Sequence, residues 1–461
     1  MPSLGLAMIV KDGAKTLRDC LGSVAGVVHQ IVVADTGSSD GTPALARELG
    51  AEVFDFPWRD SFAEVRNAAV GKLTTDWVLV LDDDEELDAQ ARTRLPALLN
   101  DSRMGGYLAT LRNYLPVRFC EGGHAPSAQP IDVAVPRAEN ARSVADFELC
   151  RLFRRHPKIY YSGRVHESVD ASIQALGMGI GSGNFVIHHF GHLSCSADEL
   201  KEKDQLYRKL SHLKSGDRPN DSQAWTELGL VEYERFKNYS TAIECFKRAL
   251  TLDPKSNNVP YLSLANLYLE IRAEELALTL LACVNMKGKQ AGEKEQICGD
   301  ALYNLGRLKE SRAAYLRALA ILPRDPRILS KLGLTEVRVG LKKSGFSRLK
   351  AALNETPELV EMHDRMIKAC IVADMLPQAA EEAELVAFGF PNPATILRAA
   401  VIRAQMHEWN SAQETILRGL RLFPQNQEMF KVKVELEKKT APIAHGAVLS
   451  ANGSPGLHPA D

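Results

Sequence analysis

Residues 77–86 read WVLVLDDDEE, five apolar residues followed by five carboxylates. A short unbroken apolar run is the pattern of a strand buried on both faces of a parallel sheet. Adjacent carboxylates repel one another unless something positive neutralises them. On an arbitrary stretch of surface such a run reads as a solvated acidic loop. At the end of a buried parallel strand it falls where ligands of such sheets bind. Magnesium and manganese take oxygen ligands and hold substrate phosphates through one or two carboxylates. In an extended segment residues i and i+2 point the same way, so Asp82 and Asp84 are expected to face one ion. Asp83 and Glu85 are the less favoured ligands.

Upstream, strand and helix signals alternate. Residues 4–10 form an apolar run, and Ala14, Leu17, Leu21 and Val24 then recur at helical spacing. Residues 31–34 read as a second strand, 42–49 as a helix closing at Gly50, 53–54 as a third strand and 62–73 as a helix. Strands alternating with helices predict a mainly parallel sheet with helices on its faces. Two features sit at its strand ends. Residues 35–42 read DTGSSDGT, a small-residue turn in which Asp35 ends the strand and Asp40 can cap the next helix. Taken alone it is a turn and a cap. Arg66-Asn67 puts a cationic fork on the next helix, able to hold a base or a phosphate. Taken alone Arg66 reads as a surface ion-pair residue.

Downstream the pattern weakens. Residues 116–142 are rich in Pro, Gly and Ala without a period and read as a long loop, with the irregular insertion spanning about 114–146. Ordered signals return at 149–154 and 185–188. From about 205 the chain reads as wholly helical. Trp225, Leu228, Gly229, Tyr233, Ala242, Phe246, Ala249 and Pro254 follow the tetratricopeptide pattern, with one extra residue before Tyr233. Pro323, Pro357 and Pro391 are each 34 residues apart, and Pro424 comes one residue early. Gly299 and Gly333, Ala318 and Ala352, and Ala379 and Ala412 keep the same register. The expected division is 1–204 for the α/β domain, 205–437 for about six helical repeats, and 438–461 for a disordered tail.

The 461 residues carry a formal net charge of -2, so no global field points to nucleic acid. Eight scattered cysteines, none in a Cys-x-x-Cys pair, fit a reducing compartment. The opening MPSLGLAMIVKDGAK reads as a strand and not a signal peptide, and no apolar run is long enough for a transmembrane helix. A cytoplasmic location is the expectation.

Taken in order, MIVKD, VVADTGSSDGT, FPWRDSFAEVRN and WVLVLDDDEEL resemble glycosyltransferase family 2 with the GT-A fold. The arrangement is similar to the tetratricopeptide-containing bacterial glycosyltransferases, bacteriocin S-glycosyltransferases among them. The match is strong over residues 1–100 and looser over 145–200. The resemblance implies an α/β GT-A domain, Rossmann-like, followed by an all-α tetratricopeptide solenoid. It implies that Asp35 lies by the nucleotide base, that Arg66 contacts the nucleotide, and that Asp82 and Asp84 form the metal-binding Asp-x-Asp, with Asp83 beside the nucleotide-sugar. Residues 161–167, YSGRVHE, and 187–192, IHHFGH, resemble later segments of this subgroup. An inverting transfer needs a base for the acceptor proton. Glu167 is the first choice, with Glu148 and Asp146 as alternatives. His189 is expected to complete the metal shell or touch the diphosphate, with His188 on the opposite face of its strand. For each histidine the plain reading is a satisfied core residue.

The implied reaction is metal-dependent, inverting transfer from a nucleotide-sugar, a UDP-sugar, with Mg2+ or Mn2+, to an acceptor such as a peptide or protein presented by the repeats. The repeats serve equally as a homodimer interface or a surface for another partner. Two other readings stay open. One is an inactive scaffold. The other is a sugar nucleotidyltransferase, which would carry a Gly-rich basic loop where this chain has KDGAK at 11–15.

Overall fold

The computed structural model describes residues 2–115, 136–141, 143–255, 258–357 and 359–440. The chain forms two compact units, Met1–Ser263 and Leu264–Asp461.

The first unit opens with β1 (Leu4–Val10), α1 (Leu17–Ser23), β2 (Gln30–Asp35), α2 (Thr42–Glu48), β3 (Glu52–Asp55), α3 (Phe62–Lys72) and β4 (Trp77–Val80). β1 lies between β2 and β4, with β3 outside β2, all parallel. Every residue of β1 is buried, and its two faces serve two cores. Leu4, Leu6 and Met8 pack with Leu17 and Leu21, while Ala7 and Ile9 pack with Val65, Ala69 and Leu73. That two-sided burial is why the strands read as unbroken apolar runs. α3 begins where the Ser61 hydroxyl accepts from the Glu64 N–H.

β5 (Glu85–Leu87), α4 (Ala91–Leu99), β6 (Met104–Leu115), β7 (Ser143–Arg154), α5 (Asp170–Gln174) and β8 (Gly179–His189) complete an eight-stranded sheet of order β3-β2-β1-β4-β7-β6-β8-β5. This half is mixed, with antiparallel pairs β4–β7, β6–β7 and β5–β8 and one parallel pair, β6–β8. β6 carries no clear signal in the sequence because it starts on glycines that crowding demands. A Cβ on Gly105 would meet Ile173 at 2.6 Å, and one on Gly106 would meet Cys150 at 2.7 Å. Of the expected insertion, 116–135 and 142 lie outside the described residues. Its flanks belong to β6, to a 3-10 turn at Pro136–Ala138 and to β7.

α6 (Gly191–Ser194) and α7 (Ala197–Asp217) follow, α7 opening on a capping box between Ser196 and Glu199. The division expected at 205 falls inside α7. The first helical hairpin pairs α8 (Ser222–Leu230) with α9 (Tyr239–Leu252). Between them Val231–Arg235 is a π turn. A π turn holds one residue more than an α turn, which accommodates the extra residue before Tyr233.

The remaining helices are α10 (Val259–Glu270), which spans the division between the units, then α11 (Glu274–Ala282), α12 (Gly288–Asn304), α13 (Leu308–Ile321), α14 (Pro326–Arg338), α15 (Lys342–Glu355), α16 (Val360–Val372), α17 (Leu376–Gly389), α18 (Pro393–Gln405), α19 (Trp409–Leu422) and α20 (Gln427–Thr440). Pro323, Pro357, Pro391 and Pro424 each fall two residues past the end of a second helix. The small residues mark close approach: a Cβ on Gly333 would meet the Gly345 carbonyl oxygen at 2.8 Å. Of the tail expected from 438, residues 438–440 belong to α20. Residues 441–461 lie outside the described residues. Among the described residues no helix is long and apolar enough to cross a membrane.

Candidate active site

The loops after β1 and β2 lock together at the strand ends. Asp12, held in the left-handed region at φ 54°, accepts from the Ser39 N–H at 2.7 Å and donates its own N–H to the Ser38 hydroxyl. Asp40 accepts from the N–H groups of Thr42 and Ala14. Asp35 is buried and accepts from the N–H groups of Gly37 and Ser38 and from the Ser38 hydroxyl. Asp35 therefore shapes its own loop, and Gly37, at φ 109°, supplies the turn that brings those N–H groups round.

The acidic run does not continue the strand as an extended segment. The Glu85 N–H donates to the Asp82 carbonyl oxygen at 3.1 Å, closing a turn, and Glu85 and Glu86 then enter β5. The alternation expected of an extended segment fails for that reason. Three neighbouring carboxylates fan apart. Asp82 turns toward Arg66 and Arg151. Asp83 accepts from the Thr16 hydroxyl at 2.7 Å and packs where a Cβ on Gly13 would sit. Asp84 faces His189, with Oδ2 3.3 Å from Nε2.

Arg66 and Arg151 offset part of the charge of the cluster. Arg66, on α3, donates from Nε to Glu167 at 2.6 Å and from Nη2 to Asp82 at 3.0 Å. Its Nη1 is buried and has no hydrogen-bond partner. Arg151, on β7, donates to Glu85 at 2.7 Å and lies 3.6 Å from Asp82. Burial pushes the Asp82 carboxyl up, but the Arg66 and Arg151 charges outweigh it and hold Asp82 below the usual carboxylate range. Burial, with the neighbouring Asp84 and Asp82 charges, pushes Asp83 up to about 6 against the Thr16 hydrogen bond. Burial likewise pushes Glu85 up to about 6 despite Arg151.

His189 reaches the site through sheet topology. β5 and β8 pair antiparallel with Glu85 opposite His189, and the Phe190 N–H donates to the Asp84 carbonyl oxygen. Asn113 on β6 orients the ring. Its Nδ2 donates to the Ala145 carbonyl oxygen, so its Oδ1 faces His189 Nδ1 at 2.5 Å. Nδ1 therefore carries the proton, and Nε2 points at Asp84. A lone pair and a carboxylate oxygen at that separation repel unless a proton or a cation lies between them. Burial lowers the His189 pKa, but the Asp84 hydrogen bond and the surrounding carboxylates reverse the sign and raise it. Gly191 leaves the space these two groups fill: a Cβ there would meet Asp84 Oδ2 and lie 2.8 Å from His189 Nε2. Among the described residues no three His, Cys, Asp or Glu side chains gather as a metal-binding set. The pair Asp84 and His189 nonetheless suits a divalent ion whose shell is shared with substrate phosphates.

Glu167 lies in a tight loop closed by paired N–H and carbonyl groups of Ser162 and Ser168. Asn67 clamps that loop, its amide bonding both the N–H and the carbonyl of Tyr161. The structure thus gathers Asp82, Asp83, Asp84, Arg66, Glu167 and His189. It does not bring in the alternatives. Glu148 is exposed on β7 and accepts from the Thr110 hydroxyl, while Asp146 pairs with Arg112. His188 turns away and bonds the Tyr114 hydroxyl at 2.8 Å. Arg151 and Asn113 went unread in the sequence. A charge inside the apolar stretch LCRLF was the one signal for Arg151, and Asn113 left none.

Residues 6–119 match Glycosyl transferase family 2, residues 222–256 match the tetratricopeptide repeat, and residues 299–340 match a further TPR repeat family. A TPR repeat-containing protein of Synechococcus elongatus is 33% identical over 50% of this chain and 52% of its own length. An uncharacterized glycosyltransferase of Rickettsia felis is 29% identical over 24% of this chain and 38% of its own. The SPbeta prophage-derived glycosyltransferase SunS of Bacillus subtilis is 25% identical over 36% of this chain and 34% of its own. The chain spans about half the length of the first of these relatives and less of the others. It carries a family 2 glycosyl transferase domain at its N-terminus and tetratricopeptide repeats behind it.

Proposed function

We propose that the N-terminal unit transfers a sugar from a nucleotide-sugar, a UDP-sugar, to an acceptor with inversion at the anomeric carbon. The observation that carries this reading is the turn at Asp82–Glu85. It aims Asp84 at His189 Nε2 beside a buried arginine that holds Asp82 and Glu167. Asp84 and His189 would hold Mg2+ or Mn2+, which neutralises the departing diphosphate when bound. Asp82, held as a carboxylate by two arginines, and Asp83 lie beside it.

The chain's own groups account for the rest. Arg66 Nη1 is a buried donor without a partner, a condition that a substrate oxygen or a water relieves. The Asp35 loop offers a pre-shaped floor for the nucleotide base. As the acceptor attacks C1, the C1–oxygen bond to the diphosphate breaks and its electron pair leaves with the diphosphate. The acceptor proton passes to a base, and Glu167 fits that role, held at 2.6 Å from Arg66 Nε. Arg66 holds Oε1 and leaves the other carboxylate oxygen to take the proton, so Arg66 places the base. Peptide or protein is the acceptor class that the repeats favour.

Asp84→Ala is the direct test. Metal-dependent release of UDP from a UDP-sugar should vanish while the melting temperature stays at the wild-type value. Undiminished turnover in that variant sinks the assignment. Supplying a nucleoside triphosphate and a sugar phosphate in place of the UDP-sugar separates transfer from nucleotidyl chemistry.

A further inference from the structure

An aromatic ring beside the Glu167 loop comes from outside the segment that matches a glycosyl transferase. Tyr207 of α7 sets its ring 6.3 Å from that of Phe62 and 5.9 Å from that of His166, the residue before Glu167. The Arg235 guanidinium, from the π turn, lies 5.4 Å from the centre of the Tyr207 ring and pairs with Asp204. Among the described residues none hydrogen-bonds the Tyr207 hydroxyl. Burial raises the pKa of that hydroxyl, and the Glu167 and Asp82 charges raise it further, so it stays a proton donor.

The placement is built and not incidental. On one side α7 is tied to the Glu167 loop and to the start of α3: buried Lys214 donates to the Val165 carbonyl oxygen at 2.9 Å, Asp217 pairs with Arg164, and Lys209 pairs with Asp60, just before α3. On the other side it is tied to the first hairpin. Glu232 in the π turn is fully buried and bonds Arg208 Nε and Nη2, at 2.7 and 2.9 Å, and His212 Nε2 at 2.9 Å. An aromatic face with a free hydroxyl donor, near two carboxylates and a cation, matches the two-sided chemistry of a sugar, which shows C–H groups on its faces and hydroxyls at its edge.

We infer that Tyr207 is a sugar-binding residue, its ring walling the hexosyl ring of the nucleotide-sugar and its hydroxyl bonding one of that ring's oxygens. This rests on the nucleotide-sugar reading above. Titration of the full chain in Mn2+ with UDP, UDP-glucose, UDP-galactose and UDP-N-acetylglucosamine tests both and tells them apart. At least one UDP-sugar should bind the wild type more tightly than UDP. Tyr207→Phe should shrink that advantage about fivefold to tenfold, the worth of one hydrogen bond, with UDP affinity and melting temperature unchanged. Tyr207→Ala should erase it. Wild-type discrimination retained in both variants overturns the inference, and so does a wild type that binds UDP but none of the sugars more tightly. A wild type that binds neither UDP nor any UDP-sugar overturns the donor reading itself, and the assignment of Tyr207 falls with it.

Discussion

Asn113 decides which nitrogen of His189 meets Asp84. Its amide is fixed by the Ala145 carbonyl, so it accepts from Nδ1 and leaves Nε2 for the site. Asn113→Leu should weaken Mn2+ binding by about 10- to 100-fold, the usual cost of losing a group that orients a metal-binding histidine. Calorimetric titration with Mn2+ reads this, and an unchanged affinity argues against His189 as a ligand. Arg66 is the second hinge of the chemistry. Arg66→Met strands Glu167 and leaves Asp82 with Arg151 alone, and should cost about 3 kcal/mol or more in a denaturant melt. Adding Glu167→Gln to that variant should restore part of the loss, because the two sites share one interaction. Asp84 was legible because carboxylates at the end of an apolar strand stand out, whereas Arg66 alone read as a surface ion-pair residue and gained its role, like Glu167, from the family resemblance. The direction each side chain takes was not. It depends on a turn at Asp82–Glu85 and on a strand pairing that brings Glu85 opposite His189, more than 100 residues along the chain.

Elements show the same division between what local pattern fixes and what pairing fixes. The repeats announce themselves because their prolines and small residues have local jobs. Gly333 packs against the backbone of Gly345, so Gly333→Ala should destabilise the helical unit by about 1–3 kcal/mol, read from its unfolding midpoint. A neutral effect would mean that α14 and α15 do not approach so closely. β6 stayed hidden because its partners β7 and β8 come later in the chain, and its opening glycines answer to neighbours that only the fold supplies. One contact in the repeats predicts a pH response. His363 bonds the Glu382 carboxylate through one ring nitrogen and the Pro357 carbonyl oxygen through the other. Both partners are acceptors, so the ring is held doubly protonated. The Glu382 hydrogen bond raises the His363 pKa above 6.5 against the effect of burial. A raised folded-state value means stability fully present below about 6.5 and lost as the pH climbs through the folded-state pKa. The melting temperature of the helical unit should fall over that range in the wild type and stay flatter in His363→Gln. Parallel curves contradict the assigned charge.

At the scale of the molecule, the sheet gathers the Asp84–His189 pair and one buried arginine, and the first helical hairpin holds α7 against the Glu167 loop. The proposed function requires a nucleotide-sugar and a divalent ion to bind together at Asp84. The most direct measurement is the thermal shift of the full chain with UDP-, GDP- and dTDP-sugars, with and without Mn2+, for the wild type and Asp84→Ala. A ligand at 100 times its dissociation constant adds about 2.7 kcal/mol of stability, enough for a clear shift. UDP-sugars should give a shift that needs Mn2+ in the wild type and disappears in Asp84→Ala. No Mn2+-dependent shift with any donor, or an equal shift in Asp84→Ala, would contradict it.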